Sequence, residues 1–301
     1  MGEFAAIDRL RRRLPQPPAG QTWIGDDAAV VAGPAGALLL STDAVVAGVH
    51  ADLTLVGLDD LGWKAVAAAV SDVAAMGGRP TYLLVSVCGP DGTDIDLLYA
   101  GIAEASAEYR CPVVGGDVSV SSELAVVVTV AGDAGAEPAV LRSGARPGDT
   151  VYLTGPLGSS AAGLRLLRAG GTAPQDPLVC AHRRPRARPA EGSAARRAGA
   201  TSMIDVSDGL AGDVRHLADA SGVGVALDAV PVAEGASPGE ALGGGEDYEL
   251  IFTAPTPEHV VALFAREGLR PPISVGRCTR DPRERLLAGQ PMPEGGWEHW
   301  T

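Results

Sequence analysis

Lysine occurs once in this chain, at Lys64, and aromatic side chains make up only 4% of it. That lysine follows Leu-Gly-Trp and no GxxxxGK[ST] stretch exists, which excludes a P-loop nucleotide site. No GxGxxG follows a strand pattern, and the Gly-rich loop, HRD and DFG of protein kinases are missing, so a dinucleotide fold and a protein kinase are excluded too. The four cysteines, Cys88, Cys111, Cys180 and Cys278, form no CxxC and sit in apolar or loop settings. They suggest neither a zinc site nor a disulfide framework and read as reduced cytosolic thiols. No apolar run approaches the ~18 residues of a membrane span. The opening stretch GEFAAIDRLRRRLP reads as a short amphipathic helix ended by Pro15, not a signal peptide, and Ala6 breaks the myristoylation pattern. A net charge of −13 argues against broad attraction to nucleic acid or an anionic membrane. The expectation is a soluble, cytoplasmic protein that meets an anionic substrate through bound cations.

What the chain has instead is aspartate among small residues. The pattern recurs five times, as GDDAAV (Gly25 to Val30), STDAV (Ser41 to Val45), SDVAAMGG (Ser71 to Gly78), GGDVS (Gly115 to Ser119) and DVSDGL (Asp205 to Leu210). Hard oxygen donors of this kind suit Mg²⁺, which shares its shell between carboxylates and substrate phosphates. The apolar fraction, 46%, is built from Ala, Val and Leu, which predicts a core of small, closely packed elements.

Four apolar runs read as strands: Ala37 to Leu40 leading into the STD motif, Tyr82 to Cys88, Pro112 to Val114 running into GGD, and Leu124 to Val130. A helix pattern begins after Asp59 and Asp60 and stops at Gly77 and Gly78; a second runs from about Ile95 to Tyr109. Gly, Pro and charged residues between Gly132 and Gly148 mark a boundary, dividing the chain into residues 1–135 and 136–301. The second part reads as another α/β unit. It has a strand at Thr150 to Gly155, a helix after Gly158, a Pro/Arg-rich connection from Thr172 to Glu191, a strand at Ser202 to Val206, a helix from Leu210 to Ala220, and strands near Val223 to Leu227 and Tyr248 to Thr253.

Each aspartate beside glycine is by itself a turn former or cap, and Asp26 and Asp213 need be nothing more. Asp72 is stronger, being the lone acid of an Ala/Val helix; it either binds metal or pairs with Lys64 two turns away. Asp205 and Asp208 end a strand and open a helix, where an acid pair is an ordinary cap unless a cation joins it. GGD at Gly115 to Asp117 reads either as a tight turn or as a place where backbone approaches a ligand. His50, alone in an apolar context, reads as structural. Arg183, Arg184, Arg186 and Arg188 read as a solvated loop balancing an acidic protein, or as phosphate contacts.

The order and wording of these motifs resemble the thiamine-monophosphate kinases, members of the fold superfamily that includes aminoimidazole-ribotide synthetase. The likeness runs from GEF through GDDAAV, STDAVVAGVH, WKAVAAAVSDVAAMG, VVGGD, LRSGARPGD, MIDVSDGL and GGGEDYEL to GWEHW. It implies an α/β (α+β) two-domain fold with an N-terminal mixed-sheet domain that pairs across a homodimer, and a C-terminal α/β domain. Implied too are ATP as co-substrate, thiamine monophosphate as acceptor and several Mg²⁺ ions, held by Asp27, Ser41, Thr42, Asp43, Asp72, Asp117, Asp205 and Asp208. ATP contacts fall on Tyr99, Gly116, Asp117, Arg142 and Ser207, and the thiamine phosphate on His50, Glu246 and Trp297, which revises the structural reading of His50. Asp43, Asp208 and Arg142 are the residues implied in catalysis. Ala69 and Val118 depart from the family's usual Asn and Thr. Two other readings stand beside this one, another ATP-dependent member of the superfamily and a non-catalytic Mg-nucleotide sensor.

Overall fold

A computed structural model describes residues 9–21, 23–24, 28–29, 31–170, 173 and 175–296. The chain divides into two compact units, Met1–Val73 with Pro80–Glu137, and Ala74–Arg79 with Pro138–Thr301. Among the described residues no helix is long and apolar enough to cross a membrane.

The first unit holds helix α1, described over residues 9–13, then β1 (Leu38–Val46), α2 (Leu58–Ala75), β2 (Arg79–Gly89), α3 (Ile95–Glu108), β3 (Val113–Val120) and β4 (Ala125–Asp133). The strands form one mixed sheet in the order β1-β4-β2-β3, with β1 antiparallel to β4 and β2 parallel to β3. Val126, Val128 and Val130 of β4 are fully buried while the residues between them are only partly so, the period of a strand with one covered face. Residues 61–70 of α2 are buried all round, as expected of a helix without a polar stripe. Asp60 starts it by accepting from the Gly57 N–H at 3.4 Å, and Gly77, at φ +69°, ends it in the left-handed region. Small residues let α2 and α3 touch: a Cβ on Gly101 would stand 1.7 Å from the Asp59 carbonyl oxygen. The expectation of a closely packed small-residue core is met there in backbone-to-backbone contact.

The second unit carries β5 (Thr150–Leu153), α4 (Ser159–Arg168), α5 (Pro177–Arg183), α6 (Pro189–Arg197), β6 (Ser202–Asp205), α7 (Leu210–Ser221), β7 (Gly224–Leu227), α8 (Pro238–Gly243), β8 (Leu250–Ala254), α9 (Pro257–Arg266), β9 (Ile273–Thr279), β10 (Arg285–Leu287) and β11 (Gln290–Pro291). Its seven strands make one mixed sheet, β11-β10-β7-β9-β5-β8-β6. The connection read as irregular is therefore partly helical. Asp176 caps α5 by accepting from Leu178 N and Val179 N, and proline opens both α5 and α6, where its missing N–H costs nothing. The scarce aromatics are concentrated: Tyr152, Phe252 and Phe264 stack in a column with centroid spacings of 5.1 and 6.0 Å.

Glu249 is buried just before β8, accepting from Thr154 Oγ1 at 2.5 Å, Arg188 Nη2 at 2.8 Å and Arg270 Nη2 at 3.1 Å. It ties together β5, the start of α6 and the approach to β9. Glu249→Ala leaves two guanidinium groups without their carboxylate and is expected to cost about 3 kcal/mol in urea unfolding. A loss below about 1 kcal/mol would mean the arginines find other partners.

Candidate functional site

In the first unit, β1 places Ser41, Thr42 and Asp43 opposite Val130, Thr129 and Val128 of β4. Ser41 and Asp43 share one face of the strand, and the Ser41 hydroxyl donates to the Asp72 carboxylate on α2. Two of the proposed ligands are thus brought together by the packing of α2 on β1. Asp72 is half-buried and Lys64 fully buried. Thr42 Oγ1 lies 3.0 Å from Thr129 Oγ1, and Asp43 Oδ1 accepts from the Ala44 N–H at 2.7 Å. His50 closes the turn after β1; its Nδ1 accepts from the Val46 N–H at 3.0 Å, which assigns the ring proton of the neutral form to Nε2.

GGD is not a turn. It lies inside β3, whose Gly116 faces Val85 and whose Asp117 faces Ser86 of β2. The glycine is required because a Cβ at position 116 would stand 1.8 Å from the Val85 carbonyl oxygen, and because its φ is +156°. Asp117 is exposed and accepts from Ser119 Oγ at 2.7 Å. Burial, with the Asp117 charge behind it, pushes the Tyr99 phenol up to about 12. Tyr99 stays protonated at neutral pH and keeps a donor.

In the second unit, β6 delivers a buried Asp205, followed by half-buried Ser207 and Asp208 at the mouth of α7. Asp213, inside the first turn of α7, accepts from the N–H groups of Asp208 (3.2 Å) and Gly209 (3.1 Å), so it is the helix's own cap. Burial, then the charges of Asp205 and Asp208, push its carboxyl up to about 8. The GGGEDYEL segment lies along this strand end: Glu246 N–H donates to Ser207 O at 2.8 Å and Tyr248 N–H to Val206 O at 2.9 Å. Glu246 and Tyr248 have φ of +64° and +50°, which delays β8 to Leu250. Such backbone costs about 1–3 kcal/mol per residue and persists only where its surroundings enforce it. Glu246 Oε2 lies 3.8 Å from Nδ1 of the buried His182, which is itself 3.2 Å from Ser160 Oγ. Arg142 is exposed on the connection before β5, and its carbonyl accepts from Ser221 Oγ at 3.1 Å. Asp27 and Trp297 lie outside the described residues.

Residues 25–134 match the AIR synthase related protein N-terminal domain, and residues 146–289 the corresponding C-terminal domain. Over 317 aligned residues the chain is 38% identical to the thiamine-monophosphate kinase of Mycobacterium tuberculosis, covering 99% of this chain and 91% of that protein. The chain belongs to the thiamine-monophosphate kinase family. The crystal structure of thiamine-monophosphate kinase from Stenotrophomonas maltophilia K279a is similar at a TM-score of 0.83 and 30% identity, covering 96% of this chain and 98% of that one. AaThiL complexed with AMPPCP and TMP is similar at a TM-score of 0.78 and 33% identity, covering 99% and 97%.

For a member of this family, the residues that sequence reasoning passed over are those that hold the GEDYEL loop. Asp247 accepts from the N–H groups of Gly158 (2.6 Å) and Ser160 (3.1 Å) at the start of α4, and burial pushes its carboxyl up from 3.8 to about 6. Because the folded value lies above the unfolded one, the folded state holds this proton more tightly. The associated stability is present below about pH 4 and is lost as pH rises through about 6. Asp247→Asn, which keeps an acceptor oxygen but does not titrate, is expected to remove a slope of order 1–3 kcal/mol between these values. Urea midpoints of parent and variant across that window measure it, and parallel curves would contradict the assignment.

Proposed function

We propose that this protein transfers the γ-phosphoryl group of ATP to thiamine monophosphate, giving thiamine diphosphate and ADP. The observation that carries this reading is near-complete coverage of a solved relative described as complexed with AMPPCP and TMP, joined to the placement of Ser207, Asp208 and Glu246 on one strand end. An oxygen of the acceptor phosphate forms the new bond to the γ-phosphorus as the bond to the β–γ bridging oxygen breaks. That oxygen is already ionised near neutral pH, so no general base is required, and the work is positioning and charge neutralisation.

The donor set fits Mg²⁺. Every proposed ligand is a hard oxygen, and Asp205 and Asp208 stand three residues apart at the end of β6 and the mouth of α7. Among the described residues no three of His, Cys, Asp and Glu form a ready-made metal cage. We assign the carboxylates of Asp27, Asp43, Asp72, Asp117, Asp205 and Asp208, with the hydroxyls of Ser41 and Thr42, as ligands shared among several Mg²⁺ ions. When bound, Mg²⁺ supplies neutralisation of the two polyanions. Tyr99 and Ser207 each offer a hydroxyl to the nucleotide and Gly116 its backbone, and Arg142 offers a planar fork for phosphate. His50, Glu246 and Trp297 are the thiamine contacts, Glu246 through its charge and Trp297 through stacking on a cationic ring.

A second copy of the chain completes this reading. Asp43 and Asp117 stand on opposite edge strands of one sheet, three strand spacings apart, about 14 Å at ~4.8 Å each. In one copy they cannot engage the same phosphate. The described sheet leaves both edges open, and Leu38, Leu40 and Leu84 are 52, 68 and 44% exposed. Pairing β1 with β3 of a second copy covers this surface and sets Asp43 of one copy beside Asp117 of the other. We take the enzyme to be a cytoplasmic homodimer that uses neither nucleic acid nor membrane. ADP release that requires added thiamine monophosphate tests the activity; release with no acceptor dependence would refute it.

A further inference from the structure

Both described side-chain hydrogen bonds of Arg215, on α7, go to backbone carbonyls: Nη2 donates to Met292 O at 3.1 Å and to Pro293 O at 2.9 Å. Its Nε is buried without a partner among the described residues. Burying that donor costs stability, and the bonds to the segment that leaves β11 are what offsets the cost. The same segment is fastened at two further points. Met292 is buried in the core of the second unit, and its N–H donates to Arg285 O at 2.7 Å. Farther on, Gly295 and Gly296 lie against the first turn of α7: a Cβ on Gly212 would stand 3.3 Å from Gly296 Cα and 3.4 Å from Gly295 O, and one on Gly295 would stand 3.6 Å from Ala211 Cβ. Backbone meets backbone there because Gly212 and Gly296 both lack a side chain, and Gly296 takes φ +122°, which L side chains rarely adopt.

These contacts give the segment a direction. It meets α7 at residue 215, then at 211 and 212, and a Cβ on Gly296 would lie 3.9 Å from Asp208 O, so it runs against the helix toward the DVSDGL turn. The carbonyl one residue earlier, Ser207 O, accepts from the Glu246 N–H at 2.8 Å. Consecutive residues of one turn therefore meet the Glu246 backbone and the end of the fastened segment. Trp297 is the next residue in the sequence. A free stretch with two consecutive glycines would lose much conformational freedom when its tryptophan settled on a ligand. With the stretch already held on α7, that loss falls on folding and not on binding.

We propose that Arg215 is a positioning residue for the acceptor: by fastening residues 292–296 along α7 it brings Trp297 to the thiamine ring beside Glu246, with Gly212 leaving the room the segment needs, a role that rests on the reading of Trp297 as a thiamine contact given above. Steady-state kinetics of the full chain, with ATP and Mg²⁺ present and thiamine monophosphate varied, test it. Arg215→Gln raises KM for thiamine monophosphate by about five- to tenfold, the scale of one or two lost hydrogen bonds, and leaves kcat and KM for ATP within about twofold of the parent. Arg215→Lys, which can still donate to a carbonyl, recovers part of the loss. In a Trp297→Ala chain, Arg215→Gln has no further effect, because both substitutions remove the same contact. Gly212→Ala is the second variant. It favours the helix, so the melting temperature stays at or above the parent's, while its methyl crowds Gly296 and KM for thiamine monophosphate rises about two- to threefold. Unchanged KM in Arg215→Gln, full additivity with Trp297→Ala, or kcat and KM for ATP damaged in step with the acceptor's would each overturn the proposal; should Arg215→Gln not fold, a parent-like KM in Gly212→Ala overturns it. A parent that makes thiamine diphosphate but whose Arg215 and Gly212 variants match it sinks this inference alone. A parent that makes no thiamine diphosphate sinks the functional reading and this inference with it.

Discussion

Asp43→Asn lowers turnover of thiamine monophosphate by at least about 100-fold, the scale of losing a charge that stabilises a developing anion. It leaves the melting temperature within about 2 °C of the parent. The two parts of the expectation have separate causes. Asp43 is half-buried on an edge strand, and its carboxylate accepts from the adjacent Ala44 N–H, a bond that an Asn oxygen can also accept. Side-chain volume is nearly conserved, so packing of β1 on β4 is undisturbed. Only the negative charge disappears, and the proposed role is a cation ligand. Initial rates in saturating Mg²⁺, with a thermal melt of the same preparation, give both quantities. A rate within a few-fold of the parent would remove Asp43 from the metal-holding set.

Co-expression of Asp43→Asn chains with Asp117→Asn chains restores activity, although each variant alone is inactive. If one site takes Asp43 from one copy and Asp117 from the other, a mixed dimer has one doubly damaged site and one intact site. Random pairing makes half the dimers mixed, so recovery reaches about a quarter of the parent rate. A chain carrying both substitutions, co-expressed with either single variant, gains nothing. Without exchange of edges between copies the two residues remain on opposite sides of one four-stranded sheet, and mixing inactive chains recovers no activity. Recovery indistinguishable from zero, with mixed dimers shown to be present, would rule out the shared site.

Much of the fold was legible because its signals are local. The strands announce themselves as runs of Val, Leu and Ala bounded by Gly and Asp, and α2 has an acid at its start and a left-handed glycine after its end. GGD was ambiguous because two glycines usually mark a turn, whereas Gly116 exists to let the Val85 carbonyl approach from the neighbouring strand. That requirement involves a residue 31 positions away and leaves no local trace. The helices α5 and α6 were hidden for another reason: 7 and 9 residues long and rich in Pro and Arg, they look like a loop until Asp176 and the N-terminal prolines are read as caps. The supports of the GEDYEL loop were illegible altogether. Asp247 reaches Gly158 and Glu249 reaches Thr154, partners 89 and 95 residues apart in sequence, and nothing in the motif names them.

The proposed site shows the same division. Family resemblance located Ser41, Asp72, Ser207, Asp208 and Glu246, but the contact between Ser41 and Asp72 and the backbone bonds joining Glu246 to Ser207 are consequences of packing. Asp213 shows how an acid within an acid-rich motif can serve the fold: its oxygens are used by the N–H groups that open α7.

The most direct test of the account is the product itself. Incubating the purified full chain with ATP, Mg²⁺ and thiamine monophosphate, and following the reaction by ³¹P resonance, should show one thiamine diphosphate formed for each ADP released. ADP appearing with inorganic phosphate and no thiamine diphosphate, or no consumption of ATP at all, would contradict it.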